Sequence, residues 1–150
     1  MAKHYLSLAF AALLIAGITA CSKEKNTISP IPAIGFESVT PANVKQFTDS
    51  ITFRISYKDG DGDLGENIDT VCNVFLTDSR NNVTYKYRLK QLSPTNSEIA
   101  ISGFVNIKLG SVSLLDANAT QESATFSIYV KDRSGNASNT VTSSAVTITK

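Results

Sequence analysis

Ile51-Thr52-Phe53-Arg54-Ile55-Ser56-Tyr57-Lys58 decides the fold. Ile51, Phe53, Ile55 and Tyr57 alternate with Thr52, Arg54 and Ser56. A period of two sends successive side chains to opposite faces, so this is a strand with one face on a core and one toward water. The same period continues on both sides of it. Upstream, Ile34, Phe36 and Val39 predict a first strand ended near Pro41. Downstream, Val71 to Leu76 predicts a strand with Cys72, Val74 and Leu76 inward, closed by the turn cluster Asp78-Ser79-Arg80-Asn81-Asn82. Val83, Tyr85, Tyr87 and Leu89 then alternate with Thr84, Lys86, Arg88 and Lys90, which gives a strand with a cationic outer face and its tyrosines on the packed side. After the turn Ser93 to Ser97, the inward set is Ile99, Ile101, Gly103, Val105, Ile107 and Leu109. Gly103 marks a bulge or a close approach. Ser111 to Glu122 is weakly patterned, with Leu114 and Leu115 expected to tuck it onto the core. Phe126, Ile128 and Val130 form a strand, with Thr125, Ser127 and Tyr129 as the inward set if the register slips. It turns through Asp132-Arg133-Ser134-Gly135-Asn136, with Gly135 where a positive φ is needed. Val141 to Thr149 closes the chain, with Val146 and Ile148 inward. No segment sustains a period of 3.6. Seven to eight short strands separated by turn signals predict an all-β fold, a single antiparallel sandwich over residues 34–150.

The chain ahead of residue 34 is built differently. Met1 to Tyr5 carries Lys3, and Leu6 to Ile18 is apolar but too short for a permanent membrane span. Small residues, Thr19 and Ala20, then precede Cys21. A positive start, an apolar middle and a small-residue end make a secretory signal over residues 1–20. Residues 21–33, rich in polar side chains and then prolines, read as a flexible tether. Its ~12 residues reach about 40 Å when extended. Ile18-Thr19-Ala20-Cys21 resembles the lipobox of bacterial lipoproteins. That resemblance implies cleavage before Cys21, acyl chains on Cys21 and anchoring in a membrane. Ser22, in place of Asp, is similar to lipoproteins sorted to the outer membrane, on either its periplasmic or its outer face.

Composition narrows the function classes. Loss of Lys3 with the signal takes the 14 basic residues to 13, against 13 acidic ones. A neutral chain lacks the basic excess of a nucleic-acid binder. It also cannot hold an anionic membrane by charge, so the acyl chains on Cys21 must do so. The single histidine, His4, leaves with the signal. Ser-His-Asp and Cys-His arrangements and His-bearing metal sites are thereby excluded. No catalytic residue is expected. With Cys21 lipidated, Cys72 has no disulfide partner and is expected to be a buried, inert thiol. There is no Trp to stack on sugars or cations.

Three features together resemble small Bacteroidetes-type lipoproteins with an immunoglobulin-like or fibronectin-like domain. They are the lipobox, the strand from Ile51 running into Asp59-Gly60-Asp61-Gly62-Asp63-Leu64-Gly65, and the ending from Phe126 to Thr140 with its turn at residues 132–136. The resemblance covers nearly the whole mature chain and implies location and an immunoglobulin-like sandwich, in a family with mostly no assigned activity. The antibody-type Cys pair and core Trp are absent, which points to the broader sandwich class.

One constellation bears on chemistry. Asp59, Asp61 and Asp63 alternate with Gly60 and Gly62, which places three carboxylates on one side of a loop. Calcium takes 6–8 oxygen ligands, and Asp at every second residue can wrap around it. The loop is not an EF-hand: counting Asp59 as position 1, Leu64 stands where Gly is required and Thr70 where the bidentate Glu belongs. Sandwich geometry brings loops 59–69 and 131–137 to one end, so Asp69, Asp132 and Asn136 are the candidates to complete the shell. The same residues also suit a solvated acidic turn. Consecutive carboxylates on one turn do not supply the opposed walls that glycoside hydrolysis needs. Asp49-Ser50-Ile51 and Asp69-Thr70-Val71 resemble the acceptor triplet for periplasmic O-glycosylation in such bacteria, which makes Ser50 and Thr70 candidate modification sites. The functional expectation is a lipid-anchored, non-enzymatic envelope module that binds or scaffolds a protein or glycan through its loops, with calcium as its only candidate cofactor. The alternatives are a glycan-binding accessory lipoprotein and an enzyme.

Overall fold

The computed structural model describes residues 28–150; the signal segment, Cys21 and the tether to residue 27 lie outside the described residues. Ten strands follow in order: β1 (Ala33–Thr40), β2 (Asn43–Lys45), β3 (Ile51–Asp59), β4 (Val74–Asp78), β5 (Thr84–Tyr87), β6 (Ile101–Leu109), β7 (Gln121–Ala124), β8 (Phe126–Val130), β9 (Val141–Thr142) and β10 (Val146–Thr149). There is no helix among the described residues. The strands form three sheets, in the orders β1-β3-β6, β5-β4-β8-β9 and β2-β10-β7. The count of ten exceeds the expected seven to eight because β2 and β7 form where the periodicity predicts no strand and the expected run Val141–Thr149 is split into β9 and β10. β7 and β8 break at Thr125, and β9 and β10 break at residues 143–145. Ser143 spans the break. Its hydroxyl accepts from Phe126 N at 3.0 Å, and its own N donates to Phe126 O at 2.9 Å. Pairing is antiparallel except between β2 and β10, which run parallel from Thr147 opposite Asn43 to Thr149 opposite Lys45. That pairing corrects the purely antiparallel expectation.

The pleat of β3 organises the core. Ile51, Phe53 and Ile55 are buried, while Arg54 faces water. β6 pairs with β3 along nine residues and turns Val105, Ile107 and Leu109 the same way. Facing them, β4 contributes Val74 and Leu76, and β8 contributes Phe126, Ile128 and Val130. Phe53 and Phe126 meet edge to face with ring centroids 4.9 Å apart, which joins the two sheets at their centre. Tyr85 and Tyr87 pack half-buried against this core. Gly103 stands opposite Tyr57, where a Cβ would lie 2.9 Å from the phenol oxygen. The close approach is therefore to a side chain across the strand pair.

Several local expectations fail, the first because a side chain takes the place of a ladder bond. The strand expected from Val71 begins at Val74, and Cys72 is exposed. Asn73 and Val74 are both buried, so the alternation slips by one residue and Cys72 falls outside. The Asn73 side chain replaces the ladder there, accepting from Leu89 N at 2.6 Å and donating to Leu89 O at 3.1 Å. The strand expected over Val83–Leu89 is correspondingly shorter, and Val83 is exposed. Ile99 precedes β6 and is exposed; of the Leu114-Leu115 pair, Leu114 packs on the core and Leu115 does not.

The pole of the sandwich away from Asp59 is fastened by Arg80. Its guanidinium meets Asp78 at 2.7 Å and Glu122 at 2.7 Å, and it donates to Ser113 O at 3.0 Å. Glu122 also accepts from Leu115 N and Asp116 N, both at 2.8 Å. These contacts tie the β4–β5 turn to the β6–β7 connection. Asp78 is fully buried, so removing Arg80 would leave an uncompensated charge in the interior. Arg80→Ala should cost about 3–5 kcal/mol in urea unfolding. Arg88→Ala breaks the pair with the largely exposed Asp69 and should stay within about 0.5 kcal/mol of the parent. Equal effects of the two variants would refute this assignment.

Candidate metal centre

The loops β3–β4, β5–β6 and β8–β9 all leave from one pole, because β3 ends, β6 begins and β8 ends there. Asp59 continues the inward series of β3 and is completely buried. The pleat that buries Phe53 and Ile55 thus also points a carboxylate inward at the last position. Beyond it the chain doubles back. Leu64 N donates to Asp59 Oδ2 at 2.9 Å, and Leu64 bridges antiparallel to Asp132.

Two glycines let neighbouring segments close over this loop. A Cβ at Gly60 would lie 2.1 Å from Ile28 O, and Gly60 N donates to Ser29 O at 2.9 Å. The last residues of the expected tether therefore lie against the loop. Gly62, at φ +73°, would place a Cβ 2.3 Å from Ile99 O. A side chain is excluded there on both counts. The Ser93 hydroxyl donates to the Gly62 carbonyl.

The result is a crowded trio. Carboxylate oxygens of Asp59, Asp61 and Asp63 all lie within 4.8 Å of one another. Asp59 Oδ1, Asp61 Oδ1 and Asp63 Oδ1 are each buried and have no hydrogen-bond partner. Asp63 is held through its other oxygen, which accepts from Ser134 N at 3.0 Å and Ser134 Oγ at 2.7 Å. Arg133 stands close but donates to carbonyls, Gly65 O at 2.9 Å and Gly62 O at 3.4 Å. Among the described residues, no ion pair reaches the trio. Burial pushes the Asp59 carboxyl up to about 6; the Leu64 N–H opposes the rise, and the charges of Asp61 and Asp63, together with a hydrogen bond from the protonated acid to Asp61, add to it.

Of six candidate ligands, the fold gathers Asp59, Asp61 and Asp63. Asp132 and Asn136 lie at the same pole, but they satisfy each other. Asn136 N donates to Asp132 Oδ1 at 2.7 Å and Asn136 Nδ2 to Asp132 Oδ2 at 2.9 Å. Asp69 is exposed and pairs with Arg88. Of the two candidate modification residues, Thr70 is exposed and Ser50 is half-buried ahead of β3.

A cleft of about 530 Å³ opens beside the trio, with Asp61, Asp63 and Ser134 on one side and Thr95, Ser97 and Glu98 on the other. Ser93 to Ser97 reads as an ordinary turn, and nothing local shows that it folds over residues 60–63.

Chemically, three oxygens within 4.8 Å suit one hard cation, since ligands of a calcium ion at about 2.4 Å lie no more than about 5 Å apart. No protein-family profile, curated protein or solved structure matches this chain. The class is set by the fold alone, an all-β chain consistent with a sandwich.

In the absence of any cation, Asp59 binds its proton more tightly folded than unfolded. Its contribution to stability is therefore present below about pH 4 and lost as pH rises through about 6. Asp59→Asn keeps an oxygen for Leu64 N and removes the buried charge. In EDTA at pH 7 it should be about 2 kcal/mol more stable than the parent by urea unfolding, with a flatter pH dependence between 4 and 6. A variant less stable than the parent under those conditions would show that the charge is already neutralised from within.

Proposed function

We propose that this protein is a lipid-anchored module of the cell envelope whose loop pole holds a calcium ion, with a binding or scaffolding role and no catalysis of its own. The observation that carries the calcium reading is Asp59, fully buried with Oδ1 unpartnered, beside two more unpartnered carboxylate oxygens. A solvated acidic turn would leave these atoms in water. Burying a carboxylate with neither water nor counter-charge is costly, and a divalent cation removes that cost. An all-oxygen donor set without His or Cys favours calcium over zinc or copper.

The lipid anchor rests on the sequence of residues 1–21 and the membrane on acyl chains at Cys21. An immunoglobulin-like assignment is supported by the strand order. β1-β3-β6 facing β5-β4-β8-β9 matches the A-B-E and C′-C-F-G arrangement, with the B–C and F–G loops at one pole.

Calcium at about a hundredfold over its Kd should raise Tm by on the order of 5–10 °C, with EDTA reversing the rise. An unchanged Tm in millimolar calcium would end the metal reading. Labelled palmitate should enter the expressed protein and be lost in Cys21→Ser; equal labelling of the two would end the anchor reading.

A further inference from the structure

We infer that the cleft beside the carboxylate trio takes a neutral polyhydroxyl ligand, a saccharide, whose hydroxyls complete the coordination of the bound cation. This rests on the calcium reading above and adds the class of ligand. The three aspartates have one buried, unpartnered oxygen each, Oδ1, and these fill three positions of a 6–8-oxygen shell. Asp61 and Asp63 also line the cleft, so a ligand seated there lies beside the cation on their side, although all three Oδ1 atoms are themselves buried.

The lining decides the chemistry of the ligand. Among the described residues, every lining residue other than Gly60 carries a polar or charged side chain. That disfavours a lipid tail or a flat aromatic ligand, since pockets for such ligands are mostly apolar. Its volume of about 530 Å³ is within the range of small-molecule sites. Hydroxyls of Thr95, Ser97 and Ser134 and the amide of Asn96 both donate and accept, as sugar hydroxyls do. Glu98 only accepts, and it is held at φ +42°, a conformation unusual for a residue with a side chain.

Charge then separates neutral from anionic ligands. The three aspartates and Glu98 outweigh Arg133 and a divalent ion together by one negative charge. A phosphate or uronate would meet that excess, whereas a neutral diol replaces bound water and donates to Glu98.

The test uses the full chain in a non-sugar detergent. Saturation-transfer NMR is recorded with glucose, galactose, mannose and fucose, and with glucuronate and inorganic phosphate as anionic probes, in millimolar calcium and then in EDTA. At least one neutral hexose should bind in calcium and lose its signal in EDTA. Glu98→Gln should weaken that hexose at least tenfold while keeping the calcium-induced rise in Tm, and Ser97→Ala should weaken it also. If calcium raises Tm but no neutral hexose binds, or only the anionic probes bind, the ligand class is overturned and the metal site stands. Binding that survives EDTA overturns the cation bridge. Unchanged affinity in both variants overturns the placement in this cleft. If Tm ignores calcium, the underlying metal reading itself has failed.

Discussion

The pleat of β3 is the constraint on which the rest depends. One alternation buries Ile51, Phe53 and Ile55 and, at its end, Asp59. The apolar members meet β8 through the Phe53–Phe126 contact and make the two sheets one body. The last member is a carboxylate, and the period of two leaves it no solvated alternative. A shift of one residue would free Asp59, but it would also turn Phe53 outward. The loop that follows is arranged around this buried acid, from the Leu64 N–H that caps it to the segments that close over Gly60 and Gly62.

The two poles handle buried charge in different ways. Around Arg80, two carboxylates, a guanidinium and a backbone carbonyl satisfy one another. Around Asp59, the nearest guanidinium is already committed to carbonyls, and three carboxylate oxygens are left without partners. The first arrangement is complete as it stands, in the way a structural network must be. The second leaves three buried oxygens without partners, which is the observation behind the proposed calcium site.

The core was legible in the sequence wherever a strand kept its period. β3 buries Ile51, Phe53 and Ile55 and β8 buries Phe126, Ile128 and Val130, as their alternation names. β6 does so at Ile107 and Leu109, while Ile101 and Val105 stay half-buried. Gly135 takes the positive φ its turn required. Legibility ended where a side chain substitutes for backbone pairing. Asn73 does this at the edge of β4 and exposes Cys72; Ser143 does it between β9 and β10. Neither substitution changes composition or pattern enough to be seen. Asp59, Asp61 and Asp63 could be named because they are adjacent in the chain. The opposing wall at residues 95–98 could not, because only long-range closure of the β5–β6 connection brings it there. Asp132 and Asn136 were placed at the correct pole, but the short turn between them lets each satisfy the other, which spacing alone does not show.

The docking of Ser29 on Gly60 also fixes how the molecule carries tension. The chain enters beside the carboxylates, while its C-terminal strand ends at the far pole, where Gln46 N donates to Thr149 O at 2.8 Å. A pull between the two ends therefore runs along the strands. It loads the β1–β3 ladder in shear across seven paired residues, so those bonds must yield together. A pull between the entering chain and anything seated in the cleft takes a short route through the loop after β3 and leaves the sheets unloaded.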